Sequence, residues 1–342
     1  MILKTILLVD EDYMKRLFIS LMIIGSVAVS CGPSEKNIKL EGPVFGTSYA
    51  ITYYSESELD FQKAFDSLFG VLNNSLSTYK EDSEISKVNR NEETTVDNHF
   101  KTVFNASKEI YEETEGVFDP TIGAVVNAWD FGPKGKVVGL DAKKIDSLMT
   151  SVGFDKVALV DNRVVKENPM TFIDFNAIAK GYGVDVISNY LESQHIDNYI
   201  VEIGGEIRCK GINVETHHPW RVGIEKPNFD GTQSLMKVIS MKDEAMATSG
   251  TYRKYNIDEN GNRYSHIIDT KTGYPSKTNL LSISVIADNC MVADAYATAF
   301  KAMGIEKVKQ FLKKHPELKV FLIFENDNNE LDTMALNGFP ED

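Results

Sequence analysis

The sequence predicts an α+β protein, a mixed sheet with packed helices, and three patterns carry that expectation. Short runs rich in β-branched and aromatic residues, such as Val44–Tyr54 and Leu281–Ala287, read as strands. Apolar residues recur at helical spacing through Leu59, Ala64, Leu68 and Leu72, and again over Cys290–Met303. The strands come in runs broken by helices, without the strict strand–helix alternation of a doubly wound parallel sheet.

Taken in order, residues 31–42 are polar and read as a tether leading into the Val44–Tyr54 strand. A second helix is expected over Phe100–Glu113, stopping near Gly116. Val157–Val165 reads as a hairpin around Asp161-Asn162, and Thr171–Asp174 as a short strand. The polar turn Asp174-Phe175-Asn176 should open a helix over Ala177–Ser193. Strands follow at Tyr199–Ile203, Arg221–Glu225 and Leu235–Ser240. No Pro/Gly/Ser-rich linker and no repeat interrupts the chain after residue 40, so residues 43–342 are expected to form one domain.

Among the 342 residues, 42% are hydrophobic and 25% charged, the balance of a globular protein. The net charge of −14 disfavours nucleic acid as a partner, because phosphate binding needs a basic stripe. An anionic ligand would have to be held locally, by backbone N–H groups, a few placed cations or a metal. Near the N-terminus, Lys15-Arg16 precede the apolar run Leu17–Val29 and then Ser30-Cys31, the layout of a signal peptide over residues 1–30. The small residues before Cys31 resemble a lipobox, which would make Cys31 an acylated first residue. Asp10, Glu11 and Asp12 suit a signal peptide poorly, which leaves Met14 as an alternative start. Residues 1–30 carry three basic and three acidic residues, so their removal leaves the charge at −14. Cys209 and Cys290 then remain, either as core thiols or as one bridge.

Four constellations carry possible chemistry. Asp294 and Thr298 lie four apart on a helix whose alanines keep that face uncrowded, which suits Mg²⁺ with one or two protein oxygens, water and a substrate phosphate. The same spacing serves a tightly packed helix whose polar groups bond to neighbours. The Asp174–Gly183 segment offers backbone N–H groups and Lys180 to an anion such as pyrophosphate, or else Asp174 is a helix cap and Lys180 a surface charge. Gly204-Gly205-Glu206 allows close backbone approach or simply a tight turn. His266 is a candidate proton acceptor near neutral pH, or a structural histidine. Phe45, Tyr79, Phe118 and Trp129 are candidates for stacking on a planar ring or for the core.

Together these segments resemble the ApbE family, the FAD:protein FMN transferases. The matching stretches, in family order over roughly residues 43–325, are Phe45–Tyr49, Ser77–Tyr79 with Asp82–Ser86, Gly116–Thr121, Trp129–Gly132 and Asp174–Asp185. They continue with Gly204–Glu206, Trp220–Ile224, Thr248–Arg253, Ser265–Asp269 with Thr272–Pro275, and Ala293–Thr298. The resemblance implies a T-fold-related domain that binds FAD near Phe45, Tyr79, Val117, Phe118, Asp119, Asp174, Lys180 and Ile268. It implies Mg²⁺ on the side chains of Asp294 and Thr298 and the carbonyl of Ala177. The implied reaction is attack by an acceptor threonine or serine hydroxyl on the FMN phosphorus of FAD, releasing AMP, with Lys180 and Asp294 assisting and His266 as candidate base. Acceptors would be subunits of membrane redox complexes or other periplasmic flavoproteins. The place of action would be the cell envelope, on the periplasmic side of the inner membrane. Water in place of the hydroxyl would give an FAD pyrophosphatase, and a pure flavin binder would need Tyr79 and the Asp174 turn but not Asp294. The chain departs from the family at Phe45, often Met, at Phe175-Asn176, where a small or glycine pair is common, and at Ala297, an acid in some members. The last departure implies weaker Mg²⁺ binding.

Overall fold

The computed structural model describes residues 35–57, 59–92, 95–252, 255–257 and 263–341. The expected signal peptide, Cys31 and Arg253 lie outside the described residues. Along the chain run β1 (Lys36–Val44), β2 (Thr47–Ser55), α1 (Gln62–Leu76), α2 (Glu84–Asn89), α3 (Asn98–Glu113), α4 (Gly123–Ala128) and α5 (Ala142–Met149). Then come β3 (Val157–Val160), β4 (Arg163–Lys166), α6 (Ala179–Ser193), β5 (Tyr199–Ile203), β6 (Glu206–Lys210), β7 (Trp220–Glu225), β8 (Leu235–Met241) and β9 (Glu244–Gly250). The chain closes with β10 (Tyr255–Ile257), β11 (Arg263–Ser265), β12 (Leu280–Ala287), α7 (Cys290–Met303), α8 (Ile305–Phe311), β13 (Lys319–Glu325) and β14 (Leu331–Leu336).

The α+β class is what the structure shows. Eight strands form one sheet in the order β1-β2-β5-β6-β9-β12-β13-β14. Each neighbouring pair in it is antiparallel. Parallel pairing is confined, among the described residues, to an isolated bridge between Ile122 and Phe172. Short turns account for β1–β2, β5–β6 and β13–β14, since a short connection returns a strand antiparallel to its predecessor; the remaining pairs join strands distant in sequence. One face of the sheet packs against α1, α3, α6 and α7, whose apolar residues join Ile283, Val285, Val320 and Leu322 in the core. The β7–β8 hairpin covers the other face through Trp220, Val222, Ile224, Ile239 and Met241. Among the described residues, no helix is long and apolar enough to cross a membrane.

Several elements differ from the sequence reading for identifiable reasons. The run Val44–Tyr54 is two strands, because Phe45 and Gly46 adopt φ of 49° and 76° and turn the chain back on itself. Part of the polar stretch read as tether therefore belongs to the sheet, with Lys36–Val44 pairing along β2. Leu59 lies outside α1, whose buried stripe is Phe65, Phe69, Leu72 and Leu76. Thr171–Asp174 is not a strand, and only Phe172 makes a ladder contact. α6 starts at Ala179 after Ile178, so Asp174 does not cap it; its Oδ1 instead accepts from the Asn176 N–H at 2.8 Å. Cys209 and Cys290 are free thiols, directed at the carbonyls of Glu244 and Met246.

Candidate active site

Except for Trp129, the candidate site residues named from the sequence border one cleft of about 920 Å³, at the upper end of the size range of ligand pockets. Its floor is the junction of α6 and α7. These helices touch because Gly181 has no side chain, a Cβ there lying 2.3 Å from the Cys290 carbonyl oxygen and 2.8 Å from the Asp294 Cβ. α7 is anchored at its N-terminus by Asp185, whose carboxylate accepts the Cys290 and Met291 N–H groups at 3.0 and 2.8 Å while Arg208 pairs with it at 3.0 Å. Asn289 caps the same end through the Val292 N–H at 2.9 Å. That framework fixes Asp294 and Thr298 on the side of α7 that meets the cleft.

Asp294 is buried, and its Oδ2 accepts from the Gly181 N–H at 3.0 Å. In a longer helix that N–H would return to the Ala177 carbonyl; donating instead to Asp294, it leaves the carbonyl to the cleft wall. Thr298 Oγ1 lies 3.2 Å from Ser249 Oγ on β9. Lys180, in the first turn of α6, places its Nζ 2.7 Å from Glu206 Oε1. Burial alone would lower its pKa, but the Glu206 and Asp294 carboxylates outweigh burial and hold the ammonium above its ordinary value. Burial also pushes both carboxylates up, against the pull of Lys180.

The donor set fits a small hard cation. Asp294, Thr298 and the Ala177 carbonyl would supply oxygens of three kinds in the cleft that Lys180 also lines, the usual company of Mg²⁺. Among the described residues no three His, Cys, Asp or Glu side chains converge as a metal cluster, so such a site would rest on one carboxylate aided by neutral oxygens.

The rim is made of turns. Phe45 stands edge-on to Phe69 at 5.6 Å and packs where a side chain at Gly183 would sit. Tyr79 is 60% exposed, and its hydroxyl pKa is raised by burial and by the Asp174 carboxylate. The Val117–Asp119 loop is tied to the opposite wall by the Asp174 N–H on the Pro120 carbonyl at 2.8 Å. Asp119 turns its Oδ1 to the N–H and hydroxyl of Thr121, at 2.8 and 2.6 Å, and the Phe118 ring is buried in the core, so this loop offers a ligand backbone more than side chains. Ile268 is buried and bridges to Pro275. His266 stands with its ring 6.1 Å from that of Phe131. Trp129 lies behind the cleft, donating its indole N–H to the Gly273 carbonyl at 2.8 Å.

Sequence reasoning under-read Glu206, noted only as the end of a glycine pair, and Gly181, whose lack of a Cβ sets the helix contact. A carboxylate directly after the two-glycine turn, with φ of 59° and 100°, was the available signal.

A cleft in which a lysine meets two buried acids and a threonine hydroxyl, in an antiparallel α+β domain, has the make-up of an enzyme site. The sequence profile of the ApbE family matches residues 45–322, and the chain belongs to that family. It is 38% identical over 307 residues to the FAD:protein FMN transferase of Vibrio cholerae, covering 87% of this chain and 90% of that protein. The Haemophilus influenzae FAD:protein FMN transferase is 37% identical, over 92% of this chain and 95% of its own length. The solved flavin transferase ApbE from Vibrio cholerae superposes with a TM-score of 0.80 at 36% identity, covering 88% of this chain and 97% of that one. The apo flavinyl transferase ApbE of Pseudomonas stutzeri gives 0.78 at 27% identity, over 88% of this chain and 95% of its own.

Proposed function

We infer that this chain is an FAD:protein FMN transferase, moving FMN from FAD to a threonine or serine hydroxyl of an acceptor protein and releasing AMP. The observation that carries this reading is the meeting of Lys180 with Asp294 and Thr298 on the floor of one cleft, in a chain of the ApbE family. In the reaction a phosphoester bond forms between the acceptor oxygen and the FMN phosphorus, and the pyrophosphate P–O bond to AMP breaks. Lys180, kept protonated by its two carboxylate neighbours, holds the pyrophosphate and meets the charge that grows on the departing phosphate. His266 takes the acceptor hydroxyl proton. Phe45, Tyr79, the Val117–Asp119 loop, Asp174 and Ile268 hold the two halves of FAD. Magnesium, carried by Asp294, Thr298 and the Ala177 carbonyl, supplies Lewis-acid charge to the phosphates when bound.

Acceptors are secreted or membrane flavoproteins, such as subunits of membrane redox complexes. The chain works at the cell envelope, lipid-anchored through Cys31. The test is incubation with FAD, Mg²⁺ and a candidate acceptor, following acceptor mass with AMP and FMN release. One FMN phosphoester on the acceptor with matching AMP is expected. Free FMN with AMP and an unlabelled, competent acceptor would mark a pyrophosphatase instead. His266→Ala is expected to lose transfer while still binding FAD; full transfer between about pH 6 and 8, around the ordinary histidine pKa, would remove its role as base.

A further inference from the structure

We propose that Glu206 is a positioning residue of the magnesium site, its second carboxylate oxygen accepting a hydrogen bond from the hydration shell of the cation held by Asp294 and Thr298. The proposal rests on the magnesium reading above and adds a residue to it.

Three observations converge on Glu206. Its Oε1 is taken by Lys180 at 2.7 Å, but its Oε2 is buried and has no hydrogen-bond partner among the described residues. A buried acceptor left without a donor carries a desolvation cost, so a donor that arrives with a ligand would remove a standing penalty. Glu206 is 3% exposed and borders the same cleft as Asp294, so such a donor would come from the cleft.

The second observation is charge. Asp294 and Glu206 are both buried acids, and one cation, Lys180, is in electrostatic reach of both. The next acid, Asp185, is paired with Arg208 and the first N–H groups of α7, and its carboxylate also bears on Asp294. A cation in the cleft would give these acids a further positive partner.

The third is the thinness of the inner ligand set. On α7 the position before Thr298 is Ala297, so Asp294 is the carboxylate that this helix offers to the cleft. Mg²⁺ keeps several of its waters in such sites, and outer partners that orient ligands contribute to affinity. The Gly204–Gly205 turn pins Glu206 at the start of β6, where it pairs with Ile203, so its carboxylate is held on a rigid element.

The test is metal binding without flavin, on the metal-free full-length chain, titrated with Mn²⁺ and followed by the loss of the free-ion EPR signal, with Mg²⁺ as competitor. Glu206→Gln keeps the shape and one acceptor for Lys180, and binding weaker by about 10–100-fold is expected. Asp294→Ala should leave no measurable site. Wild-type affinity in Glu206→Gln beside lost binding in Asp294→Ala would overturn the proposal and leave the magnesium reading standing. Wild-type affinity in Asp294→Ala would bring down the magnesium reading, and the proposal with it. Should Glu206→Gln melt far below the wild type, Lys180→Met is compared with Lys180→Met/Glu206→Gln, which removes both charges of the pair. A further loss of about tenfold or more in the double variant is expected, and equal affinities would overturn the proposal.

Discussion

The floor of the cleft is carried by Lys180 on α6, Glu206 on β6 and Asp294 on α7, all on regular elements, with both carboxylates buried. The rim is carried by Phe45, Tyr79, His266 and the Val117–Asp119 loop, which sit on turns, with Phe45 at positive φ and Tyr79 mostly exposed. The contrast matches the tasks proposed for the two regions. Charges that must meet a pyrophosphate need fixed positions and a low local dielectric, which helices and strands supply. Planar rings are gripped by surfaces that adjust, and turns supply those.

If the floor is the chemical half, damage there should cost most. Asp294→Ala is expected to lower AMP release at saturating FAD by on the order of 10²–10³-fold, and a near-normal rate would erase the distinction between floor and rim. The second-largest effect concerns stability. Lys301, on the α7 turn after Thr298, is 1% exposed with Thr278 Oγ1 at 3.2 Å, and burial pushes its ammonium down to about 8. With the folded pKa below the ordinary 10.5, the unfolded chain binds the extra proton between about pH 8 and 10.5, so stability rises with pH across that window. Below pH 8 the full cost of burying the charge is present. Lys301→Met should therefore melt higher than wild type at pH 7, with the gap closing as pH climbs through the window. A gap that stays constant with pH would contradict the burial of a charge there.

Gly181→Ala probes how closely the floor is fitted. The new Cβ would meet the Cys290 carbonyl, which is backbone and yields little, so a loss of about 1–3 kcal/mol is expected in denaturant unfolding. The mildest effect belongs to the rim. Tyr79→Ala should raise KM for FAD by about 3–10-fold, the worth of one aromatic contact, and leave kcat in place. A fall in kcat with unchanged KM would move Tyr79 into the chemistry.

The same division governs what could be read from the sequence. Asp294 and Thr298 were legible because helical spacing fixes which residues share a face, and that rule holds whatever surrounds the helix. Lys180 was legible as a cation near a helix start, but its tie to Glu206 was not, since a strand and a helix 26 residues apart meet only through the fold. The role of Gly181 was not legible, because nothing local announces the Cys290 carbonyl beside it. The turn at Phe45–Gly46 stayed hidden inside a β-rich run, since an aromatic residue at positive φ runs against local preference. The antiparallel order of the sheet depends on pairings such as β6 with β9, which join segments that no periodicity links.

That order also bears on how the protein is made. The cleft draws on residues from Phe45 to Thr298, and the central strand β12 lies between β9 and the late β13. A chain emerging from the N-terminus cannot complete its cleft until nearly all of it has been synthesised, and contacts this distant in sequence make for slow folding. A half-made chain would have Lys180 but no Asp294, so the floor of the cleft is among the last parts to be assembled.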